Sequence, residues 1–94
     1  MKSRKMTILQ KIRQCIIFRN YYLSYHAEEE MSDDGLERKD VENAILKGRM
    51  KKMTGDIRGT RYRIKGPATD GRLIHVLCRF RESENLIIIT VYAL

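Results

Sequence analysis

The run Leu73-Ile74-His75-Val76-Leu77-Cys78-Arg79-Phe80-Arg81 alternates in polarity with a period of two. One parity carries Ile74, Val76, Cys78 and Phe80; the other carries His75, Arg79 and Arg81, with Leu77 its single apolar member. Successive side chains of a strand point to opposite faces, so this run predicts a half-buried strand with one dry face and one cationic face. Arg61-Tyr62-Arg63-Ile64 repeats the pattern, with Arg61 and Arg63 opposite Tyr62 and Ile64. Few folds accept such strands. They need a sheet covered on one side and open to water on the other.

What comes before supplies the cover. Thr7 is placed to cap a helix running to about Arg19, with Ile8, Leu9, Ile12, Cys15 and Ile16 at helical spacing. Ser24 is the N-cap of a second helix, which ends at Gly35. A third spans Arg38 to Lys47, with Val41, Ala44 and Ile45 as its buried stripe, and Leu36 and Val41 spaced as a hydrophobic staple. After Gly48 the texture turns to short strands at Arg49–Met53, Thr60–Lys65, Arg72–Arg81 and Leu86–Tyr92. A turn containing Gly55 and Gly59 follows the first, and Gly66 to Gly71 forms a hairpin loop after the second. In the last strand Ile87, Ile89 and Val91 are expected to face the core, leaving Thr90 and Tyr92 on the open face. The expected fold is α+β: two to three N-terminal helices on one face of a three- to four-stranded antiparallel sheet. Ninety-four residues hold one such domain, and 43% hydrophobic content is ample for its core.

Charge is distributed unevenly. Eight of the twelve acids fall between Glu28 and Glu42 beside only Arg38 and Lys39, so that segment carries −6 and the remainder +13. A basic remainder of that size suits a polyanion. Cys15 and Cys78 are too few for a disulfide framework, lack metal-ligand spacing and sit at apolar positions, which predicts buried reduced thiols. The apolar run after the basic start Met1-Lys2-Ser3-Arg4-Lys5 stops at Leu9, too short for a signal-peptide core. No later stretch is long enough to span a membrane, and a cytoplasmic address is expected.

Metal and nucleotide chemistry find no support. His26, His75, Cys15 and Cys78 are scattered, the clustered carboxylates lack a calcium loop, and no glycine-rich phosphate loop precedes a helix. No cofactor is expected. RNA cleavage by the ribose 2′-hydroxyl needs less apparatus: a base, cations for the crowded phosphorane, and an acid for the leaving oxygen. Arginine suits the cationic task and histidine the proton transfers. His75, Arg61, Arg63, Arg79 and Arg81 share the predicted open face, and Thr90 and Tyr92 join them there. His26 stands apart, in the first turn of the second helix.

Ser24-Tyr25-His26-Ala27, the helix closing at Gly35-Leu36, Asp40-Val41-Glu42-Asn43-Ala44-Ile45 and Gly48 resemble a bacterial domain-of-unknown-function family with a His-Ala helix start and an Asp-Val-Glu helix. Its second half matches in Arg61-Tyr62 before Gly66, Asp70-Gly71-Arg72 before His75-Val76, and the closing Ile89-Thr90-Val91-Tyr92. The resemblance covers about Tyr22 to Tyr92 and leaves the first helix outside it. That family looks related to RelE-like and BrnT-like toxins, small RNA-cleaving proteins with helices ahead of an antiparallel sheet. The resemblance implies an mRNA interferase held inactive by an antitoxin, often one with a DNA-binding domain, and carries over His26, Arg61, His75, Thr90 and Tyr92. One position departs: the family commonly has arginine four residues after the histidine, where this chain has Glu30.

The resulting expectation is a metal-independent endoribonuclease toxin. His26, Arg61, His75, Arg79 and Tyr92 are its catalytic candidates, and Arg63, Arg81 and Thr90 its RNA contacts. The partners expected are mRNA, an antitoxin and a second copy of the chain, with no membrane. Two competing readings use the same features: a non-catalytic nucleic-acid-binding module on the cationic face, and a protein-interaction subunit docking a basic partner on the acidic segment.

Overall fold

The computed structural model describes residues 5–57 and 59–94. The basic start at residues 1–4 and Arg58, within the turn expected between Gly55 and Gly59, lie outside the described residues. Helix α1 (Ile8–Ile17) starts where Thr7 accepts the Gln10 N–H, with Gln10 reaching back to the Thr7 N–H. Helix α2 (Tyr25–Asp33) is capped by Ser24 and closes at Gly35, whose φ of +65° suits glycine. Helix α3 (Arg38–Lys47) buries Val41, Ala44 and Ile45 as its spacing predicts. Four long strands follow: β2 (Arg49–Asp56), β3 (Gly59–Pro67), β4 (Leu73–Phe80) and β5 (Leu86–Ala93), with β1 (Tyr21–Leu23) between the first two helices.

The sheet has five strands in the order β1-β5-β4-β3-β2, and β1 runs parallel to β5. It is therefore mixed and larger than the three- to four-stranded antiparallel sheet expected. The missing strand is three residues long and pairs with partners about two-thirds of the chain away, Tyr21 with Leu86 and Leu23 with Ile88. Periodicity cannot register so short a segment. The β2–β3 ribbon is also longer than expected: β2 continues to Asp56 and β3 begins at Gly59.

The helices and one sheet face share a single core that includes Ile12, Ile16, Ala27, Val41, Ile45, Ile64, Ile74, Val76, Cys78 and Val91. Parity holds through β3 and β4. In β5 the expectation for Ile87 and Ile89 is corrected: Leu86 and Ile88 are buried instead, and Val91 is buried as expected. Leu77 pairs with Thr90 but Cys78 with Ile88, so Ile89 is an extra residue. This β-bulge reverses parity within the strand and turns Ile87 to the open face, opposite Arg79. Val91, Thr90 and Tyr92 lie beyond the bulge and keep their expected sides. Cys15 and Cys78 are buried free thiols, and burial pushes the Cys78 thiol up to about 12. Among the described residues no helix is long and apolar enough to cross a membrane.

Three polar devices hold the helices down. Arg13, off the apolar stripe of α1, donates to Ile45 O at 3.0 Å and Gly48 O at 2.9 Å, closing the C-terminal turn of α3. Gly66 lies under α3 so closely that a Cβ there would meet Ala44 O at 2.1 Å. Asp40, 5% exposed, accepts from Glu37 N–H (2.8 Å), Thr69 N–H (2.9 Å) and Thr69 Oγ1–H (2.6 Å). It thus ties the start of α3 to the β3–β4 loop. Burial opposes its charge, but the bonds from Thr69 and Glu37 outweigh burial and lower its pKa.

Asp40→Ala would strand these donors and is expected to cost about 2–4 kcal/mol in denaturant unfolding. Because the folded pKa is depressed, the stabilisation is complete above the ordinary carboxyl value of about 3.9 and is lost as pH falls through the folded value. Asp40→Asn should flatten the acid limb of the stability–pH curve; an unchanged limb would refute this role.

Candidate functional site

The face of the sheet opposite the helices is built from cross-strand rows. In one row Tyr92 pairs with His75, His75 with Lys65, and Lys65 with Arg49. In the next, Thr90 pairs with Leu77, Leu77 with Arg63, and Arg63 with Lys52. Further along, Ile87 lies between Tyr22 and Arg79. Paired residues point to the same face, so these rows read out its composition directly.

His75 and Tyr92 are its centre. His75 Nδ1 and the Tyr92 hydroxyl share a hydrogen bond of 2.9 Å, and their rings meet edge to face at 5.2 Å and 90°. Partial burial lowers the His75 pKa, and the positive charges of Arg63, Lys65 and Lys51 lower it further. The imidazole is thereby biased toward its neutral form among cations. That combination suits a proton acceptor beside a phosphate site.

The structure divides the remaining expected residues. Arg63 joins the His75 neighbourhood, and its Nε–H is buried with no partner among the described residues. Thr90 lies one row away, opposite Leu77. Arg79 is four residues from His75 along β4, about 13 Å at strand rise, and Arg61 is equally far from Lys65 along β3. Arg61 pairs with Thr54 and lines a shallow 250 Å³ hollow with Lys52, Arg63 and Leu77. Arg81 stacks over the Tyr22 ring at 4.9 Å. The arginines thus extend the cationic face without converging on one point.

His26 is elsewhere. It lies exposed on α2, with Nε2 3.4 Å from Glu30 Oε1. Glu30 in turn accepts the Val91 N–H at 3.1 Å, and Asp34 accepts the Ala93 N–H at 2.9 Å. The acidic residue at the departing position thus has a structural task, closing the edge of β5 beyond β1. Other members of the acidic segment are also engaged: Glu42 accepts from Tyr21 at 2.5 Å.

Sequence reasoning misses Lys65, Lys51 and Arg49. Lys65 continues the Arg61–Arg63 alternation, and that pattern could have found it. No such signal exists for Lys51. It is the extra residue of a second bulge, between the pairs Met50–Ile64 and Lys52–Arg63. Among the described residues no group of three or more His, Cys, Asp or Glu side chains is placed to hold a metal ion.

Fold and face together define a small α+β domain with a helix-covered core and an open cationic sheet face bearing a His–Tyr pair. The chain belongs to the domain-of-unknown-function family DUF4258, whose model matches residues 23–93. Helix α1 lies outside that match. Searches of curated proteins and of solved structures returned no match.

The electrostatic setting of His75 is directly measurable. Its NMR titration midpoint is expected below the ordinary value of about 6.5, and Lys65→Gln or Lys51→Gln should raise it. Because the folded pKa is depressed, the associated stability is fully present above about 6.5 and falls as pH drops toward the folded midpoint. A midpoint at or above 6.5 would contradict the arrangement described.

Proposed function

We propose that this protein is a metal-independent endoribonuclease acting through the open sheet face. The observation that carries the reading is the 2.9 Å His75–Tyr92 hydrogen bond on a face whose nearest charges are Arg63, Lys65 and Lys51. With Nδ1–H donated to the Tyr92 oxygen, Nε2 presents its lone pair and takes the proton of a ribose 2′-hydroxyl. The 2′-oxygen then attacks the adjacent phosphorus, and the 5′-oxygen of the next nucleotide leaves as the 2′,3′-cyclic phosphate forms. The imidazolium formed in the first half of the reaction is the acid that returns a proton to the leaving oxygen. Arg63 and Lys65, rather than Arg61 and Arg79, are the cations close enough to His75 to meet the phosphorane charge. Arg61, Arg79 and Arg81 hold the strand further along.

The toxin role belongs to the same proposal. Its support is the resemblance of the family to RelE-like and BrnT-like toxins and the need of a host to restrain a nuclease of this kind. An antitoxin with an acidic segment laid on the open face would neutralise it. Inducible expression with and without the neighbouring gene of the native operon, read by growth and transcript integrity, tests that role.

The chemistry is tested with purified protein and an RNA oligonucleotide in chelator. His75→Ala is expected to slow cleavage by roughly 10²- to 10⁴-fold and Arg63→Ala by roughly 10²- to 10³-fold, each exceeding its effect on RNA binding. Wild-type rate should rise with pH through a midpoint below about 6.5, as the base loses its proton. Tyr92→Phe should move that midpoint. His26→Ala should leave the rate within a few fold; loss of activity in that variant alone would relocate the site to the α2 edge. Cleavage that needs divalent metal would end the mechanism, and tight binding without cleavage would favour the non-catalytic module.

A further inference from the structure

A second concavity opens at the side of the sheet beyond Lys65. It has a volume of about 300 Å³, and Lys47, Arg49, Lys51 and Lys65 line it together with backbone at Gly48 and Gly66. No carboxylate is in its wall, and among the described residues none of the four cations makes an ion pair. Like charges gathered without counter-charges repel one another, and an anion seated between them relieves that repulsion.

The backbone produces the gathering. A regular β2 would send Arg49 and Lys51 to one face and Met50 and Lys52 to the other. The bulge after Met50 instead sets Lys51 and Lys52 both opposite Arg63, while Arg49 stays opposite Lys65. Lys52 thus joins the hollow lined by Arg61 and Arg63, while Arg49 and Lys51 line the cleft beside it. Lys51 lines the cleft together with Lys65, the β3 partner of His75. At the other end of the cleft, the carbonyls of Ile45 and Gly48 would oppose an anion, but the Arg13 guanidinium already occupies them.

We propose that this cleft is a phosphate subsite, holding a backbone phosphate of a nucleic-acid strand whose neighbouring linkage lies at His75. The assignment rests on the reading of the open face given above. Arg49 and His75 stand two strands apart in one row, about 10 Å at sheet spacing, a span that a strand crosses between nearby phosphates. Lys65 lines the cleft and also pairs with His75, so the two places are joined by one cationic row, which suits a continuing chain better than a free anion.

The test is equilibrium binding of a single-stranded RNA oligonucleotide, with a 2′-O-methyl group on every ribose to block cleavage, across a salt series. Wild type should show a steep linear dependence of log K on log salt. Arg49→Gln/Lys51→Gln should lower the magnitude of that slope by about 0.7, the amount for the one single-strand phosphate left without its cations. Lys11→Gln/Lys39→Gln removes the same charge from exposed positions on α1 and α3 and should leave the slope within error. If the first pair destabilises the fold, Lys47→Gln/Arg49→Gln replaces it with the same expectation.

An unchanged slope in the cleft variant, or an equal fall in the distal one, overturns the subsite. Should wild type still cleave ordinary RNA in that event, the nuclease reading survives without it. A lowered slope in the cleft variant alone, from a protein that leaves ordinary RNA intact, supports the subsite and removes the nuclease reading. Failure of wild type to bind overturns both.

Discussion

Everything about the open face depends on how the second edge of β5 is closed. β5 has β4 on one side, but on the other β1 reaches only Leu86 to Ile88. Beyond that, its backbone groups meet side chains of α2 and its cap: Ser24 Oγ–H donates to Ile89 O, Glu30 accepts from Val91 N–H and Asp34 from Ala93 N–H. An unpaired edge is a template for pairing with another chain, and a helix bearing acceptors at one-turn spacing removes it. Because α2 lies along this edge, its apolar residues Ala27 and Met31 enter the core on the helix side. The face carrying Thr90 and Tyr92 is left uncovered. Glu30 and Asp34, two acids of a run that is otherwise largely exposed, thus form one side of a hydrogen-bonded seam.

Two bulges then decide what the uncovered face contains. Each inserts one residue, and each changes which side chains share a surface. The bulge at Ile89 lets β5 bury Leu86 and Ile88 in its first half yet present Thr90 and Tyr92 in its second, so Tyr92 meets His75. The bulge at Lys51 crowds the β2 edge with positive charge. A strictly alternating β5 that buried Leu86 and Ile88 would also have buried Thr90 and Tyr92, and no His–Tyr pair would form.

Side-chain parity in β3 and β4 is a local property, and Ile64, Ile74, Val76 and Cys78 are buried as alternation requires. Helix starts at Thr7 and Ser24 and stops at Gly35 and Gly48 are equally local, because a cap is chemistry within four residues. Bulges depend on registry with a neighbour: Ile89 is extra only with respect to β4, and Lys51 only with respect to β3. The same holds for β1, whose three residues acquire meaning from β5. Of the candidate site, His75, Arg63, Thr90 and Tyr92 are legible in the sequence as one face. That His75 and Tyr92 touch, and that Arg61 and Arg79 stand about 13 Å along their strands from the His75 row, requires the register.

Charge separation follows from the same geometry and bears on how an anionic strand would approach. The acidic stretch from Glu28 to Glu42 lies in α2 and α3 and the turn joining them, on the helix side of the sheet, and the arginines and lysines of β2 to β4 lie on the other. Through a domain this thin the two sets are not screened from one another at low ionic strength. Under the proposed function this separation would draw a polyanion to the sheet side and away from α2 and α3 before any contact is made. On that side stands His75, whose pKa burial lowers and its cationic neighbours lower further. A bound phosphate offsets those neighbours and lifts the opposition they present to a positive imidazole. Under the proposed mechanism this coupling would favour the neutral ring before a phosphate is seated and the protonated ring after it, which is the order a single acid–base residue needs.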